Sequence, residues 1–345
     1  MYRTRVGVDL AKKVIQVCIY RNKKVQSNIE MTPDEFLNWL INQKPLTIIF
    51  EACSMSNYWK QKSIEAGHDA RLISAKLVSV VRQNQKTDKN DALAIVQATF
   101  LPDVTFIGGK TIEQQQLQSI KRLRELAVKQ QGACQKQLIS LLLELNIRIG
   151  NRKGGILSAI GDVLEDATND LSAECRKAIF IAKEHLAVLI EAVQHYDNCL
   201  EKTVSTHEEC KKLLKLEGVG PMNAINLYLA LGCWDIGVFS KGKDASASIG
   251  LTPIQHSSGG LVKLGSIGKH SKNSILRSQL ICGAMAVVRQ LATREAKTKK
   301  DVWLKGLIER RGKKCAAVAL ANKTVRTAFA MLTQGTEYKA ELLAA

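Results

Sequence analysis

Four carboxylates stand where they could do chemistry. Asp9 closes the apolar run Val6-Gly7-Val8, Glu51 closes the run from Leu46 to Phe50, and Asp88 and Asp91 lie three residues apart in Lys86-Thr87-Asp88-Lys89-Asn90-Asp91-Ala92. Acids at strand ends project from a sheet edge, and residues i and i+3 share a helix face, so all four can address one point. Hard oxygen donors in that arrangement select Mg²⁺ or Mn²⁺, and two such ions about 4 Å apart stabilise the attacking and leaving oxygens of a phosphoryl transfer. Asp88 and Asp91 read equally well as acids capping a helix. Asp9 and Glu51 resist the structural reading, because an acid closing an apolar strand gains nothing from its charge.

A second set follows much later. Leu251-Thr252-Pro253-Ile254-Gln255-His256-Ser257-Ser258-Gly259-Gly260 is a loop by composition, with Lys263, Lys269, His270, Lys272 and Arg277 close behind. A serine can attack a phosphodiester where a metal or base eases its deprotonation and cations neutralise the charge that develops. Taken alone, a Ser-Gly segment is most often only a turn. Upstream, Leu216-Glu217-Gly218-Val219-Gly220-Pro221 sets a glycine turn between apolar helical stretches and resembles a helix-hairpin-helix. Backbone N–H groups at Gly218 and Gly220 could hold a phosphate without reading bases; a plain helix connector is the other reading.

These residues need elements to position them. Val6–Asp9, Val14–Ile19 and Lys24–Ile29 read as an antiparallel meander. Thr32-Pro33-Asp34-Glu35 has the cap, proline and early acids of a helix start. The run into Glu51 is a buried strand, followed by a helix at 57–66, a strand at 70–73 and a helix at 75–82, an alternation that predicts a mixed α/β layer. From Glu113 to Asn146, leucines at helical spacing predict a long, partly exposed helix pair. Asn151-Arg152-Lys153-Gly154-Gly155 reads as a break, and Glu174–Val204 returns to helical periodicity, which suggests an antiparallel coiled coil. The fold class is therefore α/β plus α, with parts at 1–112, 113–205 and a mainly helical 206–345.

Composition narrows the partners. The 345 residues carry 50 Lys and Arg against 32 Asp and Glu, a net charge of +18, so a polyanion is expected and nucleic acid is favoured over membrane. No stretch approaches the roughly 20 apolar residues of a spanning helix, and the N-terminus leads into a strand pattern, so a cytosolic protein is expected. The nine cysteines, at 18, 53, 134, 175, 199, 210, 233, 282 and 315, include no C-x-x-C pair and read as reduced thiols.

Taken in order, Gly7-Val8-Asp9, Phe50-Glu51-Ala52, the Lys86–Ala92 segment, Gly250-Leu251-Thr252-Pro253 through Ser258-Gly259-Gly260, and Ala319-Leu320-Ala321-Asn322-Lys323 resemble the DEDD transposases of the insertion-sequence one-ten family, relatives of the Piv DNA invertases. The resemblance covers nearly the whole chain. It implies a RuvC-like domain of RNase H fold with Asp9, Glu51, Asp88 and Asp91 as metal ligands, and Ser258, directly before the glycine pair, as nucleophile. It makes Lys269 a phosphate contact, although Gly268-Lys269-His270 stands where Lys-Arg-Gly is common. Lys263 and Arg277 are further candidate contacts to nucleic acid. The implied partners are donor and target DNA, a structured noncoding bridge RNA, and further copies of the chain in a dimer or tetramer that complete each active site with a serine from another protomer. No cofactor beyond Mg²⁺ or Mn²⁺ is implied.

The expected activity is cutting and rejoining DNA through a phosphoserine intermediate. Four rivals are an invertase of the same family, a metal-dependent junction nuclease that activates water, a non-catalytic binding protein on a decayed fold, and an actin-like sugar kinase suggested by Gly7-Val8-Asp9. The intact acid set speaks against decay, and a net charge of +18 suits a sugar poorly.

Overall fold

The computed structural model describes residues 4–149, 155–232, 239–268 and 274–342. The chain separates into two compact units, Met1–Gln115 with Glu209–Ala345, and Gln116–Glu208.

The first unit begins with the expected meander, β1 (Arg5–Leu10), β2 (Ile15–Arg21) and β3 (Lys24–Met31). Then come α1 (Pro33–Asn42), β4 (Thr47–Glu51), α2 (Ser56–Glu65), β5 (Asp69–Ile73), α3 (Ala75–Val81) and α4 (Asp88–Ala98). The five strands form one sheet in the order β3-β2-β1-β4-β5, in which β1–β3 are antiparallel and β4 and β5 run parallel to β1. This order is consistent with an RNase H-like domain. Thr32 and Glu35 close a reciprocal capping box at the start of α1.

Strand alternation sorts the sheet into two faces. Val6, Val8, Ile15, Val17, Ile48 and Phe50 pack with Phe36 and Leu40 of α1 and Trp59 of α2. On the other face Ile49 and Ile73 pack with Val78 of α3 and Ala94, Ile95 and Ala98 of α4. The parity that sends Val6 and Val8 one way sends Gly7 and Asp9 the other, and Glu51 shares its face with Ile49.

The second unit carries most of α5 (Ile112–Glu144), with α6 (Gly155–Glu165) and α7 (Ala173–Thr206). Where a helix pair is expected over 113–146, α5 is one helix. Gly132 sits in its middle with open space where a side chain would be, so it weakens the helix by about 1 kcal/mol without breaking it. Arg124 of α5 pairs with Asp197 of α7 at 2.8 Å, while Leu138 and Leu142 pack with Ile179 and Leu186, so α5 and α7 run antiparallel. Of the break at 151–155, only Gly155 lies within the described residues.

The remainder of the first unit holds α8 (Glu208–Leu213), α9 (Pro221–Leu227), α10 (Gly242–Ser248), β6 (Pro253–Ser258), β7 (Leu261–Ile267), α11 (Ser274–Leu291) and α12 (Lys299–Gln334). α12 is interrupted at Gly312, whose φ of 78° and ψ of 167° are non-helical. Lys323 lies 4.9 Å over the Trp303 ring, whereas twenty residues of straight helix would separate them by about 30 Å. The chain therefore folds back at Gly312 into two limbs.

Candidate active site

Gly7 sets the acidic site. A methyl group there would lie 2.2 Å from the Ala92 carbonyl oxygen and 2.7 Å from Val96, so only glycine lets α4 lie directly on β1. That approach carries the first turn of α4, with Asp88 and Asp91, to the end of β1 where Asp9 stands. The pairing of Val8 with Phe50 puts Asp9 and Glu51 one step further along, at the carboxyl ends of neighbouring parallel strands, the edge where open α/β sheets bind ligands. Thr87 caps α4 by accepting from the Asn90 N–H. Gln16, opposite Asp9 on β2, donates to Asn28 at 2.7 Å, and Asn28 donates to the Lys89 carbonyl at 2.9 Å, tying α4's first turn to the sheet.

The carboxylates feel one another. Burial, then Asp91 and Asp88, hold Asp9 above the usual carboxylate range, and burial, then Asp9 and Asp91, do the same to Glu51. Lys86 pulls both back in part, and Arg82 pulls Glu51. Asp91, 8% exposed, accepts from the Arg82 guanidinium at 2.8 Å. Among the described residues, no three carboxylate, imidazole or thiol side chains stand close enough to grip an ion in this conformation.

The serine segment is a β-hairpin rather than the loop its composition suggests. Ser258 pairs with Leu261 across Gly259 and Gly260, whose φ values of 56° and 79° make the two-residue turn with both φ positive that matches strand twist. A Gly-Gly pair before Leu261-Val262 was the available signal. Its register puts Ser258 on one face with His256 and Lys263, and Ser257 on the other with Gln255, which donates to the Ser257 hydroxyl at 3.2 Å. Leu261, Val262 and Leu264 are 70, 59 and 67% exposed, so the stem has no packed face. It is held at its base instead. Arg277 donates from Nε to the Gly250 carbonyl at 3.0 Å and from Nη2 to that of Ile267 at 3.5 Å, and Asn322 donates to the Leu251 carbonyl at 3.1 Å. Gly268 lies flush against the Arg277 guanidinium, where a side chain would collide.

No hydrogen bond or ion pair among the described residues joins Ser258 to the four acids. Gly218, at φ 76°, and Gly283 of α11 press backbone to backbone, which accounts for the glycine at 218; Gly220 precedes α9 at a shallow groove shared with Arg289. Lys263 is exposed on β7, and Lys269 lies outside the described residues.

Residues 6–147 match a family model for DEDD transposases of the IS110 type, and residues 210–300 match the transposase IS116/IS110/IS902 family. The chain is 32% identical to the transposase for insertion sequence element IS1111A of Coxiella burnetii, over 97% of this chain and 91% of that protein. It is equally close to a probable family 20 transposase of Pseudomonas aeruginosa, over 98% and 99% of the two chains. The transposase for IS1328 of Yersinia enterocolitica is 26% identical over 97% and 98%. This chain belongs to the IS110 family of DEDD transposases. It is thus an enzyme that cuts and rejoins DNA, in a family that typically uses a divalent metal.

The donor set of this transposase fits such an ion in kind: it offers oxygen ligands only, and Asp9 and Glu51 are raised by burial and then by neighbouring carboxylates, a repulsion that a dication would relieve. Arg82 holds part of that position beside Asp91. Sequence reasoning missed Arg82 and Gln16, because no spacing rule links residues brought together by sheet pairing and by the chain before α4. No helix among the described residues is long and apolar enough to cross a membrane.

Proposed function

We propose that this transposase cuts and rejoins DNA through a covalent phosphoserine at Ser258, assisted by Mg²⁺ or Mn²⁺ on Asp9, Glu51, Asp88 and Asp91. The observation that carries the reading is the placing of these four acids at one sheet edge, matched by the exposed Ser258 hydroxyl on a stem clamped at its base. A bound divalent ion supplies charge neutralisation and eases deprotonation of an oxygen. The Ser258 hydroxyl attacks the scissile phosphorus, the Oγ–P bond forms and the P–O3′ bond breaks, leaving a 5′-phosphoserine and a 3′ oxygen that takes a proton from water. His256, on the same hairpin face, takes the serine proton. In the second step a 3′ hydroxyl of the exchanged strand attacks the phosphoserine, and the serine leaves with its proton restored. Ester energy is conserved, so no nucleotide is consumed.

The exposed serine and the separate acid site support a composite centre in which another protomer supplies the hairpin. Leu123, Leu126 and Leu143 on α5 and Phe180, Ile181 and Val188 on α7 are large, apolar and exposed, which supports a coiled-coil assembly role for 113–205 in a dimer or tetramer. Lys263, Lys269, the outer edge of Arg277 and the helix-hairpin-helix-like turn at Gly218 and Gly220 contact nucleic-acid backbone in this reading. High positive charge with few aromatic residues supports sequence choice by a structured bridge RNA rather than by the protein.

The test is covalent trapping with recombination DNA, bridge RNA and Mg²⁺, comparing wild type, Ser257→Ala, Ser258→Ala and Asp9→Ala by denaturing gel and peptide mapping. The expected result is an adduct on Ser258, retained in Ser257→Ala and lost in the other two. Cleavage without an adduct that survives Ser258→Ala would make the protein a metal-dependent nuclease instead.

A further inference from the structure

The motif Ala319-Leu320-Ala321-Asn322-Lys323 has no part in the chemistry above. Asn322 holds the hairpin base through Leu251 and also donates to Ser246 of α10. On the same helical limb, Lys314, Lys323 and Arg326 are exposed and line a cleft of about 1210 Å³. Lys241 and Lys243 at the start of α10 line its other side, brought close because Gly242 leaves room for α10 against the Arg326 backbone. Among the described residues no carboxylate lines the cleft and none of these five cations has an ion pair. Five unneutralised cations facing one space repel one another, a cost that fits a polyanion as occupant.

Leu251 and Ile267, which flank the stem of the serine hairpin, also line the cleft. Strands rise about 3.3 Å per residue, so Ser258 is about 20 Å from that wall, or about six base pairs of duplex at 3.4 Å each.

We infer that the cleft between α10 and the second limb of α12 is a binding site for DNA backbone, holding duplex about half a helical turn from the phosphate attacked by Ser258. Lys314, Lys323 and Arg326 grip phosphates from the floor and Lys241 and Lys243 from the side. The cations outnumber the polar side chains of the lining, Ser240, Asn322, Thr327 and Gln334, and Lys323 covers Trp303, so the grip is on phosphates in this reading. The choice of DNA over RNA rests on the proposed role of Ser258, because the strand joined to the serine must pass its stem.

The experiment uses the full-length protein and a fluorescein-labelled 24-base-pair DNA of arbitrary sequence, with binding followed by anisotropy from low to moderate salt. Each phosphate contact contributes about 0.9 to the slope of log K against log salt, so Lys314→Gln/Lys323→Gln/Arg326→Gln is expected to flatten the slope by about 2 to 3. Lys314→Arg/Lys323→Arg should keep the wild-type slope. Cys315, an exposed thiol in the same cleft, should become protected from iodoacetamide in wild type when the duplex is added. A slope unchanged in the triple glutamine variant, or a Cys315 equally reactive with and without duplex, overturns the proposal while leaving Ser258 chemistry intact. So does protection by an RNA duplex of the same sequence but not by DNA, which would assign the cleft to RNA. Wild type that fails to bind the duplex at all overturns this site and undermines the DNA-cutting reading as well.

Discussion

The acidic edge and the serine hairpin are built on opposite principles. The acids sit on elements fixed by a packed sheet: Asp9 and Glu51 end neighbouring strands, α4 lies on β1 through Gly7, and Gln16 and Asn28 tie down its first turn. The serine stands at the tip of a ribbon with no packed face, secured among the described residues where Arg277 and Asn322 hold its base. An isolated two-stranded hairpin is marginally stable in water. In the proposed mechanism one half of the chemistry is therefore preorganised by the fold, while the other stands on a stem that would take its final position from what binds it.

The comparison breaks first at Gly7. Gly7→Val should force α4 off β1, cost about 3 kcal/mol or more through overpacking, and abolish DNA cleavage, measured by chemical denaturation and by strand joining. Retention of activity would mean that contact between α4 and β1 does not set the acid geometry.

The hairpin should respond differently. Arg277→Ala frees both ends of the stem, so strand joining should fall by about 100-fold, the usual result of misplacing a reacting group by an ångström, with little change in thermal midpoint. Equal losses of activity and stability would make Arg277 part of the core instead.

The smallest effect sharpens the electrostatic side. Asp9 and Glu51 have raised folded pKa values, so their contribution to stability is complete at pH below the ordinary carboxylate range and is lost as pH rises through the raised values. At neutral pH without metal, Glu51→Gln should raise the melting temperature, by about 2–4 °C for each kcal/mol of repulsion removed. The gain should vanish as the pH is lowered through the carboxylate range. Added Mg²⁺ should stabilise wild type more than the variant; a lowered melting temperature at neutral pH would show that Glu51 is held by partners rather than repelled.

Local chemistry was written in the residues themselves. β-rich runs marked the meander, a continuous apolar run marked the strand ending at Glu51, and Thr32-Pro33 and Thr87-Asp88 marked two helix starts, because each depends on neighbours within a few positions. Composition misread the serine segment as a loop, since Ser, His and Gln have weak strand preference and the hairpin is made by two glycines at positive φ. The leucine spacing over 113–146 reads as a helix pair where α5 is one helix, because periodicity shows helical faces without showing where the chain turns. Tertiary structure alone decided that Gly7 is a contact surface for α4, that Arg82 reaches Asp91, that Arg277 braces a stem, and that Lys323 turns back over Trp303 into a cationic cleft. These are meetings between residues distant in the chain or carried on separate elements, fixed by packing and register, and no local spacing encodes them.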